Sequence, residues 1–453
     1  MLILGLGSNL GDSLHNLRSA VELLQQSRFF SQIKVSHVYH SSALLPAYAR
    51  PDWNKPFLNA ALACESKLSP VEVLDVIKWI EKQLGRQESQ KWAPRIIDID
   101  ILAWGDRVIV EQPMMQIPHP ELERRPFALW PLLDLLPDWR HPQLDVSDLL
   151  KQWGSRSSGH APFSTKRLFH RLTGTRLVGI LNLSPDSFSG DGHFPQVNKA
   201  LAYAEKLVQS GAEVLDIGAE STRPDGAKPV SPDKEWQRLS PILTTLQDCV
   251  LRWPIRPKLS LDTRNVAVAE KAIDFGVDWI NDVSGFVSDG MKELAAKHRV
   301  NCVVVHNLGV PACHEDKVLS THSDIYKQIL SWAKQRFQQL ISAGVDPKRF
   351  IFDIGVGFGK TAQQSLFLIK NIKQFQSLAC PLLVGHSRKS FLNLVTDKPY
   401  VDRDIETAVL SYQLALHGVD YVRVHNIEHN AQALRCAHAM ELCTVQTVQK
   451  SKN

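Results

Sequence analysis

The sequence predicts an α/β protein in two parts, a small α+β domain followed by a (β/α)8 TIM barrel, and three observations carry that expectation. A chain of 453 residues is too long for one core, because single cores stop growing near roughly 250–300 residues. Before about residue 150, long strand-like runs alternate with helical patterns; after about residue 176, short apolar runs and amphipathic stretches repeat in eight cycles. Between the two, residues 149–185 carry no Asp or Glu, and Lys151-Gln-Trp-Gly-Ser-Arg-Ser-Ser-Gly-His160 is small and polar, which places a linker at 151–175.

In the first part, strands are expected at Leu2–Gly7, Ile33–His40, Phe57–Glu65 and Ile96–Trp104, with helices over Leu14–Ser27 and Ser69–Leu84. In the second, the apolar runs are Val178–Leu183, Val214–Ile217, Leu259–Leu261, Trp279–Asn281, Cys302–Val305, Phe350–Ile354, Leu382–Val384 and Tyr421–Val424. Short β-branched runs followed by helical stretches are what buried parallel strands of a barrel require. At or just after their C-terminal ends stand Asn182, Asp216, Asp262, Asn281, His306, Asp353, Ser387 to Lys389, Arg423 and His425. A barrel brings such strand ends to one mouth.

Composition narrows the class. With 44% hydrophobic and 22% charged residues the chain is globular, and a net charge of +5 is too small to mark a nucleic-acid-coating protein. Seven scattered cysteines without a C-x-x-C pair argue against a disulfide framework or zinc ribbon and fit a reducing cytoplasm. The start lacks a basic n-region, and its apolar run is too short for a signal peptide or membrane span. Neither nucleic acid nor membrane is an expected partner.

Two glycine motifs fail on spacing. In Gly5-Leu-Gly-Ser-Asn-Leu-Gly11 the third glycine comes one residue too late for a dinucleotide fingerprint, and Gly355-Val-Gly-Phe-Gly-Lys-Thr361 is one residue short of a Walker loop. His298, His306, His314 and His322 match no zinc spacing.

In Arg95-Ile-Ile-Asp-Ile-Asp-Ile-Leu102, Asp98 and Asp100 alternate with isoleucines, so both carboxylates face one side of a strand, about 6–7 Å apart. Alone, the pair reads equally as an acidic edge in solvent. The loop before it delivers Arg86, Lys91 and Arg95, and cations beside metal ligands describe a polyphosphate clamp. These segments, with Phe57-Leu-Asn-Ala-Ala61, Trp92-Ala-Pro94, Ile117-Pro-His-Pro120 and Arg125-Pro-Phe-Ala-Leu-Trp-Pro131, resemble 6-hydroxymethyl-7,8-dihydropterin pyrophosphokinase over residues 1–140. The resemblance implies a ferredoxin-like fold and transfer of pyrophosphate from ATP to the pterin alcohol, releasing AMP. It assigns two magnesium ions to Asp98 and Asp100, and ATP to Arg86, Lys91, Trp92, Arg95, His119 and Arg125, with Arg86 and Arg95 catalytic beside the acids. The pterin goes to Ser41, Leu44, Phe57, Asn59 and Phe127. Lys91 and Ala93 depart from the family's usual arginine and glycine in a loop about one residue short.

Seven motifs at the barrel's strand ends, among them Val178-Gly-Ile-Leu-Asn182, Asp216-Ile-Gly-Ala-Glu-Ser-Thr-Arg-Pro224 and Gly385-His-Ser-Arg-Lys-Ser390, resemble dihydropteroate synthase over residues 176–440. Such an enzyme must bind a multiply charged leaving group, orient a bicyclic ring and admit an aromatic amine. The resemblance implies one magnesium ion on Asn182. It implies a pterin pocket of Asp262, Asn281, Asp353, Phe358 and Lys389, with Asp262 and Lys389 catalytic. Thr222, Arg223, Ser387, Arg388, Arg423 and His425 fall to pyrophosphate and para-aminobenzoate. An SN1-like loss of pyrophosphate before amine attack is the expected chemistry.

The whole chain then reads as pyrophosphokinase domain 1–150, linker 151–175, synthase barrel 176–445 and flexible tail 446–453, with a homodimer through the barrel implied by the family. Two alternatives stand beside it: a methyltransferase-like pterin barrel, disfavoured by the phosphate donors, and a degenerate pterin-binding or regulatory protein, which would lack metal or phosphate ligands that are present here.

Overall fold

The structure is a computed structural model that describes residues 1–87, 90–111, 115–183, 193–220, 230–253, 255–308 and 324–442. Its contacts divide the chain into two units, Met1–Thr173 and Gly174–Cys443.

The first unit runs β1 (Leu2–Ser8), α1 (Ser13–Gln26), β2 (Phe30–Val35), β3 (His37–Ser41), β4 (Phe57–Ser66), α2 (Pro70–Gln83), β5 (Asp98–Trp104), a small hairpin of β6 (Ile109–Glu111) and β7 (Met115–Ile117), α3 (Pro126–Leu135), α4 (Val146–Trp153) and β8 (Lys166–Arg171). β1 buries Leu2, Leu4 and Leu6 on one face and Ile3 on the other, which suits a central strand, and it pairs antiparallel with both β4 and β5. The sheet order is β5-β1-β4-β3-β8, with β2 also pairing β4, a ferredoxin-like arrangement. Helices α1 and α2 start on side-chain caps. The Asp12 carboxylate accepts from the His15 amide, and Ser69 and Glu72 form a capping box. On the α3 face, Ile3, Ala61, Ala63 and Leu102 meet Leu129, Trp130 and Leu133 in one buried cluster.

Two expectations are corrected here. The run Ile33–His40 is not one strand: it breaks at Ser36, whose hydroxyl accepts from the Ala61 amide at 2.8 Å. The segment 151–175 is not a solvated linker through most of its length. Trp153 is buried edge-on against Trp130, Arg156 pairs with buried Asp134, and β8 adds to β3, so the first unit extends to Thr173, past the expected boundary at 150. A basic, small-residue stretch looks solvated when read alone. Its charge is answered by Asp134 on α3, which local composition cannot reveal. The tail 446–453 lies outside the described residues.

The second unit is a closed barrel of parallel strands: β9 (Arg176–Asn182), β10 (Ala212–Gly218), β11 (Lys258–Asp262), β12 (Trp279–Asp282), β13 (Asn301–Val305), β14 (Phe350–Asp353), β15 (Leu382–Val384) and β16 (Tyr421–Val424). Each expected apolar run falls on one of these strands. The helices that follow the strands are α5 (His193–Gln209), α6 (Pro232–Val250), α7 (Val266–Asp274), α8 (Asp289–Lys297), α9 (Ile325–Ser342), α10 (Ala362–Lys370), α11 (Asp404–Leu416) and α12 (Ile427–Leu442). Val178, Val214, Trp279, Val303, Ile351, Leu383 and Tyr421 fill the interior, so the barrel is a packed core and not a pore.

Candidate active sites

In the first unit a cavity of about 390 Å³ opens over β1, β4 and β5. Every first-domain residue singled out in the sequence lines it: Ser41, Leu44, Phe57, Asn59, Arg86, Lys91, Trp92, Arg95, Asp98, Asp100, His119, Arg125 and Phe127. The glycines of the amino-terminal motif lie in its floor, where Gly7 pairs with Asp98 and Gly5 with Asp100 across the sheet. A side chain on Gly7 would meet the Asn59 oxygen at 3.4 Å and the Phe57 ring at 3.7 Å. The motif therefore borders the aromatic side of the cavity.

Strand alternation places both acids on the cavity side. Arg86 donates to Asp98 at 2.6 Å and Arg95 at 2.8 Å. Burial, with Asp98 adding to it, pushes the Asp100 carboxyl up to about 6. Two carboxylates on one strand face, one of them raised by burial beside the other, are an oxygen-donor pair that fits a hard divalent ion. Burial and the neighbouring Arg125 bring His119 down to about 4, so the ring is neutral near pH 7. The Arg125 Nε is buried without a hydrogen-bond partner. Asn59 donates to the Ser41 hydroxyl at 3.0 Å, which fixes its amide towards the cavity.

Sequence reasoning missed Lys78, which lines the cavity, and Glu81, which organises it. Glu81 is 2% exposed and accepts from Lys78, Arg86 and the Ile99 amide. It follows Val73, Ile77 and Ile80 on the buried stripe of α2. An acid on an apolar helix face was the signal available.

In the second unit the strand ends converge on a web of ion pairs. Arg423 donates to Asp216 at 2.5 Å and to Asp262 at 2.7 Å; Asp216 also accepts from Ser260 and from Asn281. The Asn281 Oδ1 is left buried and without a hydrogen-bond partner, an acceptor facing no donor of the protein. Gly218 lets Asp262 and Asn182 approach each other, since an added side chain there would stand 3.3 Å from the Asp262 Cβ and 3.7 Å from the Asn182 Oδ1. Gly385 lies between Asp353 and Arg423, 3.5 and 3.8 Å from where its side chain would begin. Burial pushes Asp262 up to about 7 against the pull of Arg423, and raises Asp353 as well. Lys389 is brought down to about 8, chiefly by burial; its ammonium donates to the Val356 carbonyl at 2.5 Å and sits 4.6 Å from the Phe358 ring centre.

The glycine-rich loop 355–359 is fixed from below by Lys360, which donates to the Gly355 and Phe358 carbonyls and meets the His306 ring nitrogen at 2.8 Å. Ser387 holds the His425 ring at 3.0 Å, with Tyr400 on its other nitrogen. Arg388 is turned away from the role expected of it. Its guanidinium is bidentate to Asp404 and so anchors the loop to α11. Thr222 and Arg223 lie outside the described residues. Among the described residues no group of three or more His, Cys, Asp or Glu is arranged to hold a metal ion.

Comparisons with known proteins agree with this division. Residues 3–137 match the family model of 7,8-dihydro-6-hydroxymethylpterin-pyrophosphokinase, and residues 178–425 match that of pterin binding enzymes. The chain is 36% identical over 442 residues to the folate synthesis bifunctional protein of Chlamydia trachomatis serovar D, covering 96% of this chain and 97% of that one. It is 34% identical to the mitochondrial folate synthesis bifunctional protein of Pisum sativum, across 97% and 89% of the two chains. Among solved structures, the dihydropteroate synthase of Anaplasma phagocytophilum with bound 6-hydroxymethylpterin-monophosphate superposes with TM-score 0.54 at 34% identity, covering 59% of this chain and all (100%) of that one. The Xanthomonas albilineans synthase with 4-aminobenzoic acid gives 0.54 at 30% identity, over 60% and 94%. The chain belongs to the bifunctional folate-synthesis family, in which a 6-hydroxymethyl-7,8-dihydropterin pyrophosphokinase and a dihydropteroate synthase share one polypeptide.

Proposed function

We propose that the cavity of the first unit takes ATP and 6-hydroxymethyl-7,8-dihydropterin side by side, and that the barrel mouth takes the resulting pyrophosphate ester with para-aminobenzoate. In the first reaction the pterin hydroxymethyl oxygen attacks the β-phosphorus and gives up its proton to solvent, the bond to the α-phosphate oxygen breaks, and AMP leaves. Arg86, Lys91, Arg95 and Arg125 hold phosphate oxygens, Trp92 and neutral His119 flank the nucleotide, Phe57 and Phe127 hold the two ring faces, and Leu44, Ser41 and Asn59 bound its edge. Asp98 and Asp100 would hold two magnesium ions and Asn182 one, which would supply charge neutralisation on the transferred and the departing pyrophosphate.

In the second reaction the carbon–oxygen bond to pyrophosphate breaks and the amine nitrogen bonds to the methylene, losing a proton. Asp262, Asn281 and Asp353 accept from the pterin, Lys389 and Phe358 border it, and Arg423, His425, Ser387 and Arg223 receive the anion, with Thr222 shaping the amine's entrance. The buried, unpaired Asn281 oxygen is the single observation that best supports a ring donor in this pocket. Departure of pyrophosphate precedes attack; absence of positional oxygen exchange in recovered substrate would count against that order.

The five described cysteines are all free thiols, which supports a reducing, cytoplasmic setting, and no helix of the described residues is long and apolar enough to cross a membrane. The apolar stripe Ile405, Val409 and Leu416 on α11, with Val401 and Met440 also exposed, supports pairing of two barrels. Val409→Glu should then shift sedimentation from dimer to monomer.

The decisive test supplies ATP, magnesium, pterin alcohol and para-aminobenzoate, and follows AMP and dihydropteroate separately. Asp98→Ala should abolish AMP release yet spare condensation of pre-made pterin pyrophosphate, and Asp262→Ala should do the reverse. If either substitution silenced both reactions in folded protein, the two-site reading would fail.

A further inference from the structure

We infer that Phe163, which lies beyond the end of the pyrophosphokinase family match at residue 137, is a positioning residue for the pterin side of the first cavity. The inference rests on the reading of Phe127 as a ring partner. Phe163 occupies the short turn Pro162–Ser164 ahead of β8 and reaches two separate walls of the cavity. Its ring packs edge to face on Phe127, with centroids 5.5 Å apart. Its carbonyl accepts from the Ser42 amide at 2.7 Å, and Ser42 and Phe127 both line the cavity, one from the β3–β4 connection and the other from the first turn of α3.

The turn is tied down on both sides. Ala161 is buried in the α3 cluster, the Thr165 hydroxyl donates to the Pro162 carbonyl at 2.6 Å, and β8 is hydrogen-bonded to β3. Phe163 itself has φ +61°, the left-handed region that a phenylalanine adopts at a cost. That conformation aims ring and carbonyl at the two walls together. The ring is only partly buried, so its contribution to the core is small beside its effect on Phe127. An aromatic wall held by an edge-to-face partner keeps its orientation before the ligand arrives, and a preorganised wall binds a flat ring more tightly than one that must be ordered on binding.

The test uses the full chain as Phe163→Ala, Phe127→Ala and the double variant. It measures equilibrium binding of 6-hydroxymethylpterin with a non-hydrolysable ATP analogue, together with the KM of each substrate for AMP release. Phe163→Ala should weaken pterin binding roughly fivefold to tenfold, with the KM for ATP and the condensation rate unchanged. Because Phe163 acts through Phe127, adding Phe163→Ala to Phe127→Ala should change binding by less than about twofold. Full additivity, or normal pterin binding by Phe163→Ala while Phe127→Ala binds weakly, overturns the inference and leaves the pterin reading standing. Normal binding by Phe127→Ala overturns that reading, and this inference with it. If Phe163→Ala does not fold, Phe163→Leu keeps the bulk without the aromatic edge, and the same comparison with Phe127→Ala decides.

Discussion

The two candidate sites balance charge in opposite ways. In the first, Arg86 and Arg95 converge on Asp98, while Asp100 sits two residues along the strand with its carboxyl raised by burial and by Asp98, beside a cavity of about 390 Å³. In the second, Arg423 is already shared between Asp216 and Asp262, and Lys389 rests on a carbonyl and a ring. On the proposed roles, a site that recruits a metal nucleotide leaves anionic charge for its ligand to complete. A site that receives a diphosphate ester stores its cations on internal acids, which must share them when substrate arrives. The first is therefore exposed to loss of its acids, and the second to loss of the group that holds its cation.

That difference is broken most severely at Asp216. The side chain is fully buried and accepts from Arg423, Asn281 and Ser260. Asp216→Ala leaves a partly buried guanidinium half-answered, at a cost of about 1–3 kcal/mol. Condensation should fall on the order of 10²–10³-fold while AMP release is unchanged, as following the two products separately would establish. Retention of most condensation activity would mean that Asp262 alone can hold Arg423. The counterpart in the first unit is Glu81→Gln, which keeps the shape but removes the charge that gathers Arg86 and Lys78. AMP release should drop roughly 10- to 100-fold with the pterin KM unmoved, because on the proposed roles Glu81 serves the phosphate side.

Legibility differed between the sites for physical reasons. Asp98 and Asp100 could be read from sequence because strand alternation fixes where their carboxylates point, and the barrel residues because strand ends share one mouth. Glu81, Lys360 and Asp216 act by holding other side chains, and a holding role depends on three-dimensional neighbours. Asp216 could be placed at the mouth but not given its three donors; Lys360 looked like part of a failed phosphate loop and is instead the clamp beneath it. Arg388 had the right residue type in the right loop, yet Asp404, 16 positions later, claims it. The linker misreading has the same origin, because Arg156 and Phe163 are explained only by Asp134, Phe127 and Ser42.

Titration sharpens the contrast with a smaller effect. The Asp100 carboxyl, raised to about 6, is neutral below that pH and anionic above it, so the form that the proposed metal role needs accumulates as pH rises. Lys389, lowered to about 8, is cationic below that pH and loses its charge above it. The kcat/KM of the first reaction should therefore climb through about pH 6, and that of the second should decline above about pH 8, each by about tenfold per unit on its limiting side. Superimposable profiles for the two reactions would remove the electrostatic distinction.

The mildest perturbation separates stability from catalysis. Asp134 is nearly buried and is met by Arg156, Tyr39 and His37, so Arg156→Ala removes its arginine partner while Tyr39 and His37 remain. The cost should be about 1–3 kcal/mol, within the range for an unsatisfied buried group and below that for a wholly orphaned charge. At 25 °C the folded fraction, and hence both activities, should be nearly unchanged. Because Arg156 belongs to the first unit, only AMP release should be lost at lower urea, with condensation of pre-made pterin pyrophosphate surviving to its original midpoint. A common shift of both activities would mean that the two units unfold as one, and a segment once read as a linker would then be coupling them.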